Sequence, residues 1–193
     1  MKSISNLKKM VMDGMLVQCQ LDKFISDGIL KSETKLINPR IDVEKFSFNP
    51  RINSDANKMS SVYIVFHCLE NSARELIVDR LFERCGKDWW NQCVPDRVKK
   101  RVLDLKNKEL KNKYHSQRST NDIGYTTFGD LSDIVVNNWS DFSDLVPNQA
   151  WLTSRFDDLE MSRNVIMHSG LLPDDEIDRI KTYVQDWVEQ IGS

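Results

Sequence analysis

The chain has 193 residues, 40% of them hydrophobic and 29% charged, with a formal net charge of −2. That size suits one domain with an appendage, and five prolines with seven glycines are few for a turn-rich all-β protein. No run approaches the roughly 18 apolar residues of a membrane span, and the N-terminus lacks the apolar stretch and cleavage site of a signal peptide. A cytoplasmic protein with no membrane association is therefore expected. The charge balance does not advertise nucleic-acid binding, so any such role must rest on a local patch.

The spacing of Leu7, Met10, Val11, Leu16, Leu21, Phe24 and Ile25 predicts a helix over about 6–29, ended by Gly28. From Lys31 to Ser54, Pro39 and Pro50 bracket Ile41, Val43, Phe46 and Phe48 with period-two character. This reads as an extended, ordered connection, since it carries too many large apolar residues for a solvated linker. Residues 1–55 form an N-terminal appendage on this reading, and 56–193 form the main helical domain. A long helix is predicted from about Asp55 to Cys85, closed by Gly86. Trp89 and Trp90 fall in a short connection and read as core or interface anchors more readily than as base-stacking groups.

A very charged helix follows from about Pro95 to Lys113. Between Arg97 and Lys113 eight Lys/Arg face only Asp104 and Glu109, and Tyr114, His115 and Arg118 continue the stretch. Lys99, Lys100, Arg101, Lys106 and Lys108 are candidate contacts to RNA phosphates. A solvated helix face is the alternative. His115–Tyr125 reads as a polar, mobile loop. Thr127 can cap a helix whose apolar side is Phe128, Leu131, Ile134, Val135 and Trp139. A further helix runs from about Asn148 to Ser169, stopped by Gly170. Asp174 caps the last, which carries Ile177, Ile180, Tyr183, Val184, Trp187 and Val188. The fold class is all-α, a helical bundle with an N-terminal extension.

Four cysteines (Cys19, Cys68, Cys85, Cys93) include no C-x-x-C pair and no paired-histidine spacing, so neither zinc nor a disulfide framework is expected. Cys68 lies in an apolar run and reads as a small core residue.

The chemistry-bearing feature is Arg163-Asn164-Val165-Ile166-Met167-His168. Arginine can hold a phosphate with a fork of donors, and histidine can move protons near neutral pH. Together they suggest metal-free phosphodiester chemistry. Leu152, Phe156, Leu159, Ile166 and Met167 share one helical arc with Arg163 at its centre, which is costly unless the arginine is paired or faces a polar cleft. His168 lies about 140° round from Arg163 and roughly 7.5 Å along the axis. One helix cannot easily aim both at one atom, so a site using both favours a cleft made with a second helix, from this chain or another subunit. The long helix offers Glu70 and Arg74, in the favourable acid-first i,i+4 order. Either a structural ion pair or a cleft lining fits them, and His67 beside them reads first as a core histidine.

These residues carry a resemblance. Arg163, Asn164 and His168 match the Arg-x4-6-His motif of the HEPN superfamily, which commonly has a polar residue after the arginine. Leu69–Ile77, Gly86–Trp90 with Val94-Pro95, Thr127–Leu131 with Asn138-Trp139, and Ser162–Leu171 resemble one HEPN branch in order and spacing, over about Ser60–Val188. That branch is found attached to a PIN nuclease in a eukaryotic RNA-surveillance endonuclease and in many bacterial proteins. The resemblance implies a helical bundle that dimerises, bringing two motifs into one composite cleft. It implies a metal-independent, cofactor-free endoribonuclease of toxin–antitoxin, phage-defence or RNA-processing type, with RNA as partner and a cognate antitoxin or regulator. His168 would be general acid or base, Arg163 would stabilise the phosphorane, and Asn164 would orient a neighbour or the phosphate, with Glu70 and Arg74 lining the site. Some members are non-catalytic dimerisation or binding modules, which is the alternative implied.

Overall fold

The computed structural model describes residues 46–112 and 114–191, and among these every regular element is helical. The helix expected at 6–29, and the extended connection as far as residue 45, lie outside the described residues. Phe48–Ser193 cluster as one unit by their contacts and Met1–Ser47 as another. No helix among the described residues is long and apolar enough to cross a membrane.

The first element, α1, spans Pro50–Cys85. It therefore begins earlier than Asp55, and residues 50–54 are helical where an extended chain was expected. The reason is local. Asn49 Oδ1 accepts from the Arg51 amide at 2.9 Å, and Pro50 occupies a first-turn position, where its missing N–H is no loss. Met59, Val62, Phe66, Leu69, Ala73, Ile77 and Leu81 form a buried stripe at three- and four-residue spacing. Cys68 departs from expectation, because it points away from this stripe and is exposed. The helix stops where Gly86 takes φ 63°, a backbone conformation that favours glycine.

Trp89–Cys93 form a short helix, α2, rather than an irregular connection. Its tryptophans stack edge to face at 5.5 Å and pack half-buried against the core. The free thiols of Cys85 and Cys93 approach to 2.7 Å where α1 and α2 meet. Helix α3, Asp96–Leu110, starts just after Pro95 and buries only Val98 and Val102. The following segment is more ordered than a polar loop: Asp122–Tyr125 form a 3-10 turn with Ile123 and Tyr125 buried.

Helix α4, Phe128–Asn137, opens with a capping box in which the Thr127 amide donates to Asp130 at 3.0 Å. Helix α5, Gln149–Met167, is capped by Asn148, whose Oδ1 accepts from the Trp151 amide at 2.8 Å. Its end is a Schellman turn, with Gly170 N–H bonded to Val165 O at 2.8 Å and Ser169 N–H to Ile166 O at 2.9 Å. The left-handed residue is Ser169 (φ 60°), not Gly170. Gly170 is required for space instead, since a Cβ there would meet Val165 Cγ1 at 2.6 Å. Helix α6, Asp174–Ile191, begins at Asp174 itself, with Pro173 O accepting from Ile177 N at 3.1 Å. Asp174 thus sits inside the first turn rather than capping it, and its carboxylate takes Lys58 Nζ at 2.6 Å.

A chain of rings joins four of these helices. Phe66 (α1) meets Phe128 (α4) at 6.3 Å, Phe128 meets Phe156 (α5) at 5.4 Å, and Phe156 meets Trp187 (α6) at 5.6 Å. The Trp187 indole N–H returns to Ser72 of α1 at 3.1 Å. Each ring brings large apolar area and a geometric preference. Phe128, fully buried, touches both neighbours, so Phe128→Ala should cost about 3–5 kcal/mol, read as a lowered midpoint in urea unfolding.

Candidate active site

Two helices and one loop converge on a cleft of about 610 Å³. From α1 come Tyr63, His67, Glu70, Asn71 and Arg74, residues three or four apart that share one side of the helix. From α5 come Arg163, Asn164 and Met167, with His168 at the cap, and the loop after α3 contributes Arg118, Ser119 and Gly124. The cleft that holds both Arg163 and His168 is thus made with a second helix of the same chain. His168 has left helical geometry (φ −99°, ψ 21°), so the angle of an ideal helix no longer governs where it points.

Glu70 organises the floor. It is 5% exposed, so its charge needs partners. Arg74 takes Glu70 Oε1 at 2.6 Å and Arg163 Nε takes Oε2 at 3.2 Å. Arg74 also donates to Asn71 Oδ1 at 2.9 Å and to the Thr126 carbonyl at 2.7 Å, while Asn71 Nδ2 returns to the His67 carbonyl at 2.8 Å. Burial pushes the Arg74 guanidinium below its ordinary value; Glu70 opposes this and the Arg163 charge adds to it. Both arginines remain cationic. Two cations sharing one carboxylate leave the floor with excess positive charge.

Arg163, with a side chain 29% exposed, commits only Nε to this network. Its terminal nitrogens make no hydrogen bond among the described residues and keep the fork that suits a phosphate. Asn164 and His168 are exposed beside it. His67 is exposed as well, not a core histidine. Its ring lies 6.3 Å from that of Tyr63.

The basic helix lies apart from this cleft, and none of Lys99, Lys100, Arg101, Lys106 or Lys108 lines it. Three are engaged in the fold. Lys99 takes Asp96 at 2.8 Å and the Asn91 carbonyl at 3.0 Å. Arg101 bridges to Asp130 and to Thr127 Oγ1. Lys106 pairs with Asp122 and sits 5.5 Å over the Tyr125 ring. Lys100 and Lys108 are exposed. Burial pushes the Asp130 carboxyl above its usual range, against the Thr127 N–H and the Arg101 charge that hold it down.

The cleft also uses residues that carry little signal in the sequence. Asn71 precedes Arg74 by three, a spacing that could have flagged it. Ser119 and Gly124 gave no signal; a Cβ on Gly124 would come within 2.3 Å of the Ser119 side chain, so only glycine lets the loop fold this tightly. Glu109 gathers the same loop, accepting hydrogen bonds from Arg118 N at 3.1 Å and Tyr125 Oη at 2.9 Å and forming an ion pair with Arg118 Nε at 2.8 Å. Among the described residues no group of three His, Cys, Asp or Glu side chains could hold a metal ion.

Removing Glu70 would leave two guanidinium groups together without their shared anion. Glu70→Ala should cost about 3–5 kcal/mol in urea unfolding at neutral pH, and Glu70→Gln should recover part of that. Arg101→Ala, which strands buried Asp130, should cost about 1–3 kcal/mol. Lys100→Ala should stay within about 0.5 kcal/mol of the parent in the same assay.

No curated protein and no solved structure matches the chain. Residues 65–192 match the family described as Swt1-like HEPN. That span holds most of α1, both arginines of the floor, Glu70, and the whole Arg163–His168 motif, and the chain belongs to the Swt1-like HEPN family.

Proposed function

We propose that this chain is a metal-independent endoribonuclease whose active site is the cleft between α1 and α5. The observation that carries the reading is that the free fork of Arg163, the Asn164 amide and the His168 imidazole open onto one cleft with a net cationic floor. A scissile phosphate would lie against Arg163, with Glu70 and Arg74 holding that guanidinium in place. The ribose 2′-hydroxyl loses its proton, O2′ bonds to phosphorus, and the P–O5′ bond breaks as the leaving oxygen gains a proton. The products are a 2′,3′-cyclic phosphate and a 5′-hydroxyl. His168 serves one of the two proton transfers, Arg163 stabilises charge on the phosphorane, and Asn164 orients the phosphate.

The active assembly is proposed to be a homodimer with clefts facing across one composite RNA channel. Tyr63 and Met167 at the cleft, and Ile52 and Leu171 in the neighbouring groove, are exposed apolar residues that such a partner would cover. Lys100 and Lys108 are the members of the basic helix left to meet RNA outside the cleft. Toxin–antitoxin, phage-defence or RNA-processing roles fit such an enzyme, with a cognate antitoxin or regulator as partner. A non-catalytic binding module is the second reading, favoured by the engagement of Arg163 Nε with Glu70.

Purified protein should cut single-stranded RNA in the presence of EDTA. His168→Ala should slow cutting about 10²–10⁴-fold, and Arg163→Ala about 10²–10³-fold, with helical content by circular dichroism unchanged. Growth arrest on expressing the parent but not His168→Ala belongs to the same reading; RNA binding without cutting by either protein would instead establish the binding module. Replacing Lys100 and Lys108 together by alanine should reduce the salt dependence of single-strand binding by about 1.4 in log–log slope, measured by fluorescence anisotropy.

A further inference from the structure

Cleavage by 2′-hydroxyl attack moves two protons, one off the nucleophile and one onto the leaving oxygen. In an in-line displacement those oxygens lie on opposite sides of phosphorus, so two proton-transfer groups are needed around one phosphate. The chain contains three histidines, and two of them, His67 and His168, line the same cleft. His115, the third, is exposed in the loop after α3 and does not line it.

The two cleft histidines come from different elements, α1 and the cap of α5. His67 precedes Glu70 by three residues, about one helical turn. Glu70 holds Arg163 Nε at 3.2 Å, so the phosphate-binding fork is anchored one turn from His67 on α1 and five residues before His168 on α5. The local bonds also hold His67 in register: its carbonyl accepts from Asn71 Nδ2, and Asn71 Oδ1 accepts from Arg74. The imidazole nitrogens of His67 make no hydrogen bond among the described residues, and no carboxylate there pairs with them. A histidine placed this way is open to solvent and substrate.

From this placement we infer that His67 is the second proton-transfer group of the cleft, working opposite His168 on one phosphate within one chain. The inference rests on the ribonuclease reading above and deepens it, because each chain then holds a complete acid–base pair. The proton taken from the 2′-hydroxyl resides on one imidazole, the other gives its proton to O5′, and solvent exchange restores both.

The test compares two substrates at several pH values: a dinucleoside monophosphate, and a nucleoside 3′-(4-nitrophenyl phosphate) whose leaving group needs no protonation. His67→Ala and His168→Ala should each slow dinucleotide cleavage about 10²–10⁴-fold and each remove one limb of the pH–rate profile. On the aryl ester, the variant lacking the acid should recover to within about tenfold of the parent, and the variant lacking the base should stay slow. Dinucleotide cleavage by His67→Ala within about threefold of the parent, with both pH limbs intact, would overturn the assignment and move the second group to His168 of a facing copy. Loss of activity on both substrates by both variants, with no discrimination by leaving group, would also overturn it. Should the parent protein cleave neither substrate, the ribonuclease reading fails and His67 loses its role with it. Circular dichroism and unfolding midpoints of the exposed-site variants separate these outcomes from misfolding.

Discussion

A buried carboxylate with two arginines on it is the constraint around which this domain is arranged. Glu70 lies on the same face of α1 as Phe66, Leu69 and Ala73, inside a stripe that is otherwise apolar. Desolvating an unpaired charge there would cost several kcal/mol, so the fold must bring cations to it. Arg74 arrives from the next turn and Arg163 from α5. The requirement that keeps Glu70 satisfied therefore also sets the spacing of α1 and α5 and defines the cleft between them. Arg74 extends the network to the Thr126 carbonyl, just ahead of α4. One polar cluster thus links three parts of the bundle at the place where chemistry is proposed.

The apolar half of the molecule does complementary work. The rings of Phe66, Phe128, Phe156 and Trp187 run through four helices without a gap, and Phe66, which also lines the cleft, ties that core to the site. Rigid helices are good carriers for a site, because side chains on packed elements are placed more accurately than side chains on loops. Among the described residues, the Arg118–Gly124 segment brings loop residues to the cleft, and Glu109 ties it and the adjacent Tyr125 down by two hydrogen bonds and an ion pair. Net charge is a poor guide to such a site. The whole chain carries −2, yet the cleft floor has two guanidinium groups for one carboxylate.

Features settled within one helix are the most legible in the sequence. The stop at Gly86 and the capping potential of Thr127 are legible because caps depend on neighbours a few residues away. Pro50 is ambiguous in sequence because proline punctuates strands and opens helices alike; Asn49, one residue earlier, is the signal that distinguishes the two. Cys68 is ambiguous for another reason. It sits among apolar residues in the sequence, but its helical phase puts it off the buried stripe. The charge run on α3 was legible as charge and not as interaction, since Asp122, Asp130 and Asp133 reach it from later in the chain.

The sequence by itself determined the helical class, the stop at Gly86, the cap at Thr127, and the residue types on which phosphodiester chemistry could rest, because these depend on periodicity and short-range hydrogen bonding. It also held the acid-first pairing of Glu70 with Arg74, an interaction across one turn. Only the tertiary structure decided that Glu70 is buried, that Arg163 spends Nε on it and keeps its fork free, and that His67 and His168 share a cleft. Those facts join residues separated by 93 positions or more (Glu70 to Arg163). Contacts at that range are settled by how whole helices pack, and no local pattern records them.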